Sequence, residues 1–107
     1  MKELTKSEEI ILLAIWRLGE DAYGVNIRKK VSDVVNKEYT FGTLYSHLDQ
    51  LHQKSYVIKS IGEPTPERGG RRKIYYWITP SGMKALREAR NLQRAMWDGI
   101  PDVAFDF

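Results

Sequence analysis

Two short runs rich in β-branched and aromatic residues, Y-V-I-K-S-I at 56–61 and I-Y-Y-W-I-T at 74–79, are separated by G-E-P-T-P-E-R-G-G-R-R-K. Both runs have the composition of half-buried strands. Their connection is too long for a tight hairpin turn and too rich in proline and glycine to build a core. It suits contact with a polyanion, because Gly69 and Gly70 let the cations of Arg68, Arg71, Arg72 and Lys73 approach one closely. Three helical patterns precede this pair of strands and one follows it. The expected order is α1-α2-α3-β-wing-β-α4, a mainly α chain with a small β-hairpin.

The helices are marked by local signals. Thr5-Lys6-Ser7-Glu8 has capping-box spacing, and Ile11, Leu12, Ile15, Trp16 and Leu18 follow on a helical stripe up to Gly19, which ends it. This first helix is expected to be largely buried, with Trp16 in the core. After the turn at 20–24, Val25, Ile27, Val31, Val34 and Val35 supply the apolar face of a second helix. A third runs from about Phe41 to Lys54 behind a Thr40 cap, with Leu44, Leu48 and Leu51 inward. Thr43, Ser46, His47, Gln50 and Lys54 then share its outer surface, a set of hydrogen-bonding groups that a DNA major groove can receive. Thr79-Pro80 starts the last helix, whose Met83, Leu86, Ala89, Leu92, Met96 and Trp97 line one side. That side offers more apolar surface than a small domain can cover, so it is expected to pack across a partner subunit. Helices in this order, followed by a basic loop between strands, are the layout of a winged helix-turn-helix protein.

Composition narrows the alternatives. A chain of 107 residues with 42% hydrophobic content can form one small core. The net charge of +3 hides an asymmetry: residues 1–54 hold eight Lys or Arg against eight Asp or Glu, whereas residues 55–90 hold eight against three. A localised basic excess points to a nucleic-acid surface better than overall charge does. There is no cysteine, which excludes disulfides and thiolate chemistry and fits a cytoplasmic protein. No signal peptide is visible, and the longest near-apolar run, residues 10–16, is far too short to span a membrane. His47 and His52 have no metal-ligand pattern around them, and no phosphate-binding loop, nucleophile elbow or paired carboxylate stands out. Neither a metal, a cofactor nor enzymatic activity is expected.

Gly42-Thr43-Leu44-Tyr45, followed by Leu48, Leu51 and Val57, resembles the PadR-type transcriptional regulators. The resemblance continues through G-R-R-K-I-Y-Y-W-I-T-P-S-G at 70–82 to Leu86, and Gly19 and Tyr23-Gly24 match the family's opening. It implies a homodimeric winged-helix protein that binds a double-stranded DNA operator, commonly a repressor, and dimerises through the helix after the wing with help from the first helix. It also implies that a small flat aromatic or cationic effector can enter a tryptophan-lined dimer interface, a role open to Trp97, for which packing between subunits is the plainer reading. Val25, Ser46 and Ser55 depart from the family pattern, and Ser55 stands where a turn glycine is usual.

Residues 1–79 are thus expected to form the DNA-binding domain and residues 80–107 the dimerisation helix and tail, with Met83, Leu86, Leu92, Met96 and Trp97 at the subunit contact. Thr43, Ser46, His47 and Gln50 are expected nearest base edges. Thr40, Tyr45 and Lys54 would fix position, and Arg68, Arg71, Arg72 and Lys73 would set affinity and salt dependence. The alternative is a winged-helix protein-interaction or assembly module without specific DNA binding. Three fates stay open for the tail with Val103, Phe105 and Phe107: covering the dimer, filling a pocket, or disorder.

Overall fold

The computed structural model describes residues 3–64 and 72–105. Its elements follow the expected order: α1 (Lys6–Leu18), a 3-10 turn (Gly19–Asp21), α2 (Gly24–Val35), α3 (Phe41–Gln53), β1 (Val57–Pro64), β2 (Arg72–Ile78), α4 (Pro80–Trp97) and a last 3-10 turn (Asp102–Phe105). The strands pair antiparallel from Val57 opposite Ile78 to Ile61 opposite Ile74, and the register shifts before Pro64 meets Arg72. A third, single-residue rung is added from outside the hairpin: Tyr23, just ahead of α2, bridges to Tyr75, and the Tyr76 amide donates to the Ala22 carbonyl at 2.8 Å.

Local capping chemistry sets the helix starts. The Thr5 hydroxyl accepts from the Glu8 amide at 3.1 Å while Glu8 accepts from the Thr5 amide at 2.8 Å, closing a reciprocal box. Thr40 caps α3 by accepting from the Thr43 amide, and Thr79 caps α4 by accepting from the Gly82 amide. Thr79 does more than cap, since its hydroxyl donates to the Ser55 carbonyl at 2.7 Å and its amide to the Tyr56 carbonyl at 3.0 Å. These bonds tie the start of α4 to the corner between α3 and β1. Gly82 permits the approach, because a Cβ there would collide with the Tyr56 carbonyl.

The core gathers Ile11, Leu12 and Ile15 of α1, Ile27 and Val31 of α2, the predicted Leu44, Leu48 and Leu51 of α3, and Val57 and Tyr76 of the hairpin. Desolvation by burial, with smaller contributions from Tyr45 and Asp49, pushes the Tyr76 phenol up to about 12. Gly82, Ala85 and Leu86 are buried in the same core, so α4 leaves the body only after its second turn. Leu86, expected at a subunit contact, is 9% exposed and packs within its own copy.

Trp16 is 63% exposed, which corrects its expected place in the core. The stripe that turns inward is Ile11, Leu12 and Ile15; Glu9, Leu13 and Trp16, spaced by four and three, form a neighbouring stripe that faces a groove against α4. Val25, Val34 and Val35 are likewise exposed, and only Ile27 and Val31 of the expected α2 face reach the core. No helix among the described residues is long and apolar enough to cross a membrane.

Lys54 also differs from expectation. Its ammonium does not join the outer face of α3 but turns to the fully buried Glu8, at 2.7 and 2.8 Å from the two carboxylate oxygens, and to the Glu3 carbonyl at 3.2 Å. Desolvation alone would raise the Glu8 pKa; the hydrogen bonds from Lys54 and Thr5 and the Lys54 charge outweigh it and hold the carboxyl below its ordinary 4.5. Its folded-state pKa therefore lies below the unfolded one, and the unfolded chain takes up a proton first as pH falls. The contribution of Glu8 to stability is complete above about pH 4.5 and fades as pH drops through the folded-state value.

Two outcomes follow for urea unfolding. Lys54→Met strands a buried carboxylate and should cost about 3 kcal/mol at pH 7, a large part of it recovered by adding Glu8→Leu. An unchanged midpoint for the single variant would show that the pair does not bind α3 to α1. Ser55 has φ +64°, so Ser55→Gly should stabilise by about 1 kcal/mol, and a loss of stability would contradict strain at this corner.

Candidate nucleic-acid interface

The side of α3 opposite Leu44, Leu48 and Leu51 presents Thr43, Ser46 and Gln50, all exposed and spaced by three and four residues. Thr40 is exposed at the helix start, where its hydroxyl accepts from the Thr43 amide and donates to the Thr43 hydroxyl at 3.0 Å. The row is polar and uncovered by α4. Its groups are short, so the helix can lie close to whatever it meets.

His47 stands apart from that row. It is half-buried beside the Tyr39 ring, centroids 5.8 Å apart and edge-on, and its Nδ1 is buried without a hydrogen-bond partner among the described residues. Tyr39 is held in turn by donating to the Ser7 hydroxyl at 2.9 Å. His47 thus flanks the exposed row rather than heading it. On the other flank Asp49 lies 3.4 Å from the Lys59 ammonium of β1, a loose surface pair.

Tyr45 is half-buried and packed over Gly24, where any Cβ would collide with its hydroxyl. Phe41 stacks on it at 6.4 Å, and the Arg28 guanidinium lies 4.8 Å from the Phe41 ring centre while its Nε donates to the Tyr39 carbonyl. On the hairpin side, Tyr23 meets Tyr75 edge-on at 5.5 Å and carries the Lys73 ammonium 4.4 Å above its ring. A continuous chain of contacts therefore runs from β2 through Tyr23 and Gly24 to Tyr45 and Phe41 at the start of α3. It places the base of the wing beside the exposed row of α3.

Of the expected wing cations, Arg72 is exposed at the start of β2 and Lys73 is half-buried over Tyr23. Arg68 and Arg71 lie outside the described residues. Lys54, bound to Glu8, is directed away from the row. Two cations that sequence reasoning had not singled out join the surface: Arg28, and Lys37 at 5.3 Å over the Tyr39 ring. Their only sequence signal was the R-K-K run of α2 and the short link before Thr40, neither of which shows which residue meets an aromatic ring. Among the described residues no group of three or more metal-ligating side chains is clustered to hold an ion.

Residues 11–88 match the family described as "Transcriptional regulator PadR-like family". Among solved structures, a transcriptional regulator from Clostridium thermocellum is similar at 27% identity and a TM-score of 0.71, with 87% of each chain covered. RosR of H. salinarum is similar at 25% identity and a TM-score of 0.70, over 94% of this chain and 84% of that one. A PadR family transcriptional regulator from Eggerthella lenta, 20% identical with a TM-score of 0.71 over 94% of this chain and 84% of the other, shares the fold. No curated protein matches the chain. The hairpin set beside an outward-facing α3, together with a family match over most of the sequence, shows that the chain belongs to the PadR-like family of winged-helix transcriptional regulators, a group of DNA-binding regulators rather than enzymes.

Proposed function

We propose that the protein is a sequence-specific regulator that binds double-stranded DNA as a homodimer in the cytoplasm and represses by occupying its operator. The observation that carries this reading is the exposed Thr43, Ser46 and Gln50 row lying beside the base of a basic wing. In the complex, α3 enters the major groove with Thr43, Ser46 and Gln50 toward base edges and His47 at the margin. Thr40, Tyr45, Arg28 and Lys37 meet the flanking phosphates, while Arg68, Arg71, Arg72 and Lys73 of the wing supply charge-assisted contacts to backbone or minor groove. Lys54 holds α3 in place through Glu8 and makes no DNA contact.

Residues 80–107 supply the subunit contact, the first two turns of α4 doubling as core. Beyond Leu86 the helix exposes Leu92, Met96 at 71% and Trp97, and the adjoining groove exposes Leu13, Trp16 and Met83. Apolar side chains this concentrated at one end of a small domain favour a second copy as cover. Dimerisation would set two α3 helices against half-sites about 34 Å apart. A flat aromatic or cationic effector stacking on Trp97 between the copies would relieve repression by favouring one dimer geometry over another.

Selection of bound fragments from random DNA, followed by titration of variants against the selected site, tests the interface. Arg72→Ala should weaken all sites alike and reduce the log-log salt slope by roughly 0.9 for each phosphate it no longer neutralises. Gln50→Ala should instead cost about 1–3 kcal/mol at the preferred site and reorder the ranking of sites. Absence of salt-sensitive DNA binding at low ionic strength would defeat the proposal in favour of a protein-interaction module. For the dimer, Met96→Glu should convert the chain to monomers in light scattering at micromolar concentration, and an unaltered mass would place the subunit contact elsewhere.

A further inference from the structure

The grooves flanking α4 carry opposite charge. On one side Glu3, Glu9 and Glu88 face only Lys6. On the other, a groove of about 640 Å³ is lined by the apolar Leu13, Trp16 and Met83 and by the cationic Lys84, Arg87 and Arg90, against Glu9 alone. The outer part of α4, with Arg87, Arg90 and Arg94 against Glu88, has the charge to suit the acidic groove rather than the cationic one. The segment after it is the reverse: residues 98–107 contain Asp98, Asp102 and Asp106, no cation, and the apolar Ile100, Val103, Phe105 and Phe107.

Residues 98–103 of that segment are exposed in their own copy. Ile100 is 47% exposed and Val103 74%, and they follow the end of α4 at Trp97, which lies eleven residues beyond Leu86 or roughly 16 Å at the helical rise. We propose that residues 98–105 of one copy occupy the cationic groove between α1 and α4 of a second copy. Ile100 and Val103 lie against Leu13, Trp16 and Met83, and Asp98 and Asp102 face Lys84, Arg87 and Arg90. The match of a segment with apolar and acidic but no cationic side chains to a groove lined by apolar and cationic ones selects this occupant. The inference rests on the homodimer proposed above and names the segment that closes it. It also accounts for the exposure of Trp16 and removes three cations from competition with the wing for phosphate.

Because the chain has no cysteine, single thiols can be introduced into it. Val103→Cys and Met83→Cys chains, coexpressed and mildly oxidised, should yield a cross-linked heterodimer about tenfold more abundant than Val103→Cys paired with Val34→Cys, since Val34 lines the separate groove between α1 and α2. Joining Lys84→Glu and Arg87→Glu to the Met83→Cys chain should lower that yield several-fold, and Asp102→Lys on the partner should restore it. Light scattering of the unmodified chain separates the possible failures. A dimer that cross-links no better to position 83 than to position 34 overturns the tail contact and leaves the homodimer standing, whereas a monomer overturns both. A double Val103→Cys, Met83→Cys chain that closes within one copy in dilute solution assigns the tail to its own groove and also overturns the proposal.

Discussion

Tyr45 packs where a side chain on Gly24 would have to be. That close approach sets the first turn of α2 directly against α3, and one residue earlier Tyr23 is bridged to Tyr75 of the hairpin. Two adjacent residues, one needing no side chain and the other a large ring, thus join the wing to the helix proposed to read DNA. Neither contact would fix the angle between those elements alone. Together they leave α3 little freedom to move relative to Arg72 and Lys73, and DNA-binding surfaces depend on such alignment because phosphate contacts set the register in which base edges are met.

The opposite end of α3 is held by a different kind of force. Lys54 reaches the buried Glu8 of α1, which also closes the capping box with Thr5. An ion pair of this kind adds little net stability compared with apolar packing, but its directional hydrogen bonds specify one arrangement of the two helices. Helix α1 thereby links both proposed activities: Ile11 and Ile15 join the shared core and Glu8 holds Lys54 at the end of α3, while Leu13 and Trp16 open toward the groove beside α4. A displacement of α1 by a second copy would be felt directly at the C-terminal end of α3.

A body of this size leaves much of an eighteen-residue helix in water, and those residues mark where the proposed second copy would pack. Full burial of each large apolar side chain contributes roughly 1.5–3 kcal/mol, so Leu92, Met96 and Trp97 together with Trp16 and Met83 are the largest gain still open to the fold. The surface proposed for a second copy lies on α1 and α4. The surface proposed for DNA lies on α3 and the hairpin, and the two uses do not compete for the same side chains.

Much of this was legible in the residue order. Thr5, Thr40 and Thr79 are caps whose chemistry lies within three or four residues of themselves, and Gly19 ends its helix for an equally local reason. Leu44, Leu48 and Leu51 identify the inner side of α3 by spacing alone, and so its outer side with Thr43, Ser46 and Gln50. Trp16, His47 and Lys54 were misplaced because a periodic pattern tells which residues share a face but not what stands opposite. Lys54 meets a carboxylate forty-six positions away, and His47 turns under a tyrosine from the preceding link. The sequence by itself determined the number and order of the helices and strands and the caps that start the helices, since these depend on backbone hydrogen bonds and neighbouring side chains, whereas the hairpin strands reach to Pro64 and begin at Arg72, inside what reads as loop. Only the tertiary structure decided which cations are engaged inside the protein and which apolar stripes stay in water, because charge pairing and burial depend on distances between segments that the chain brings together only when it folds.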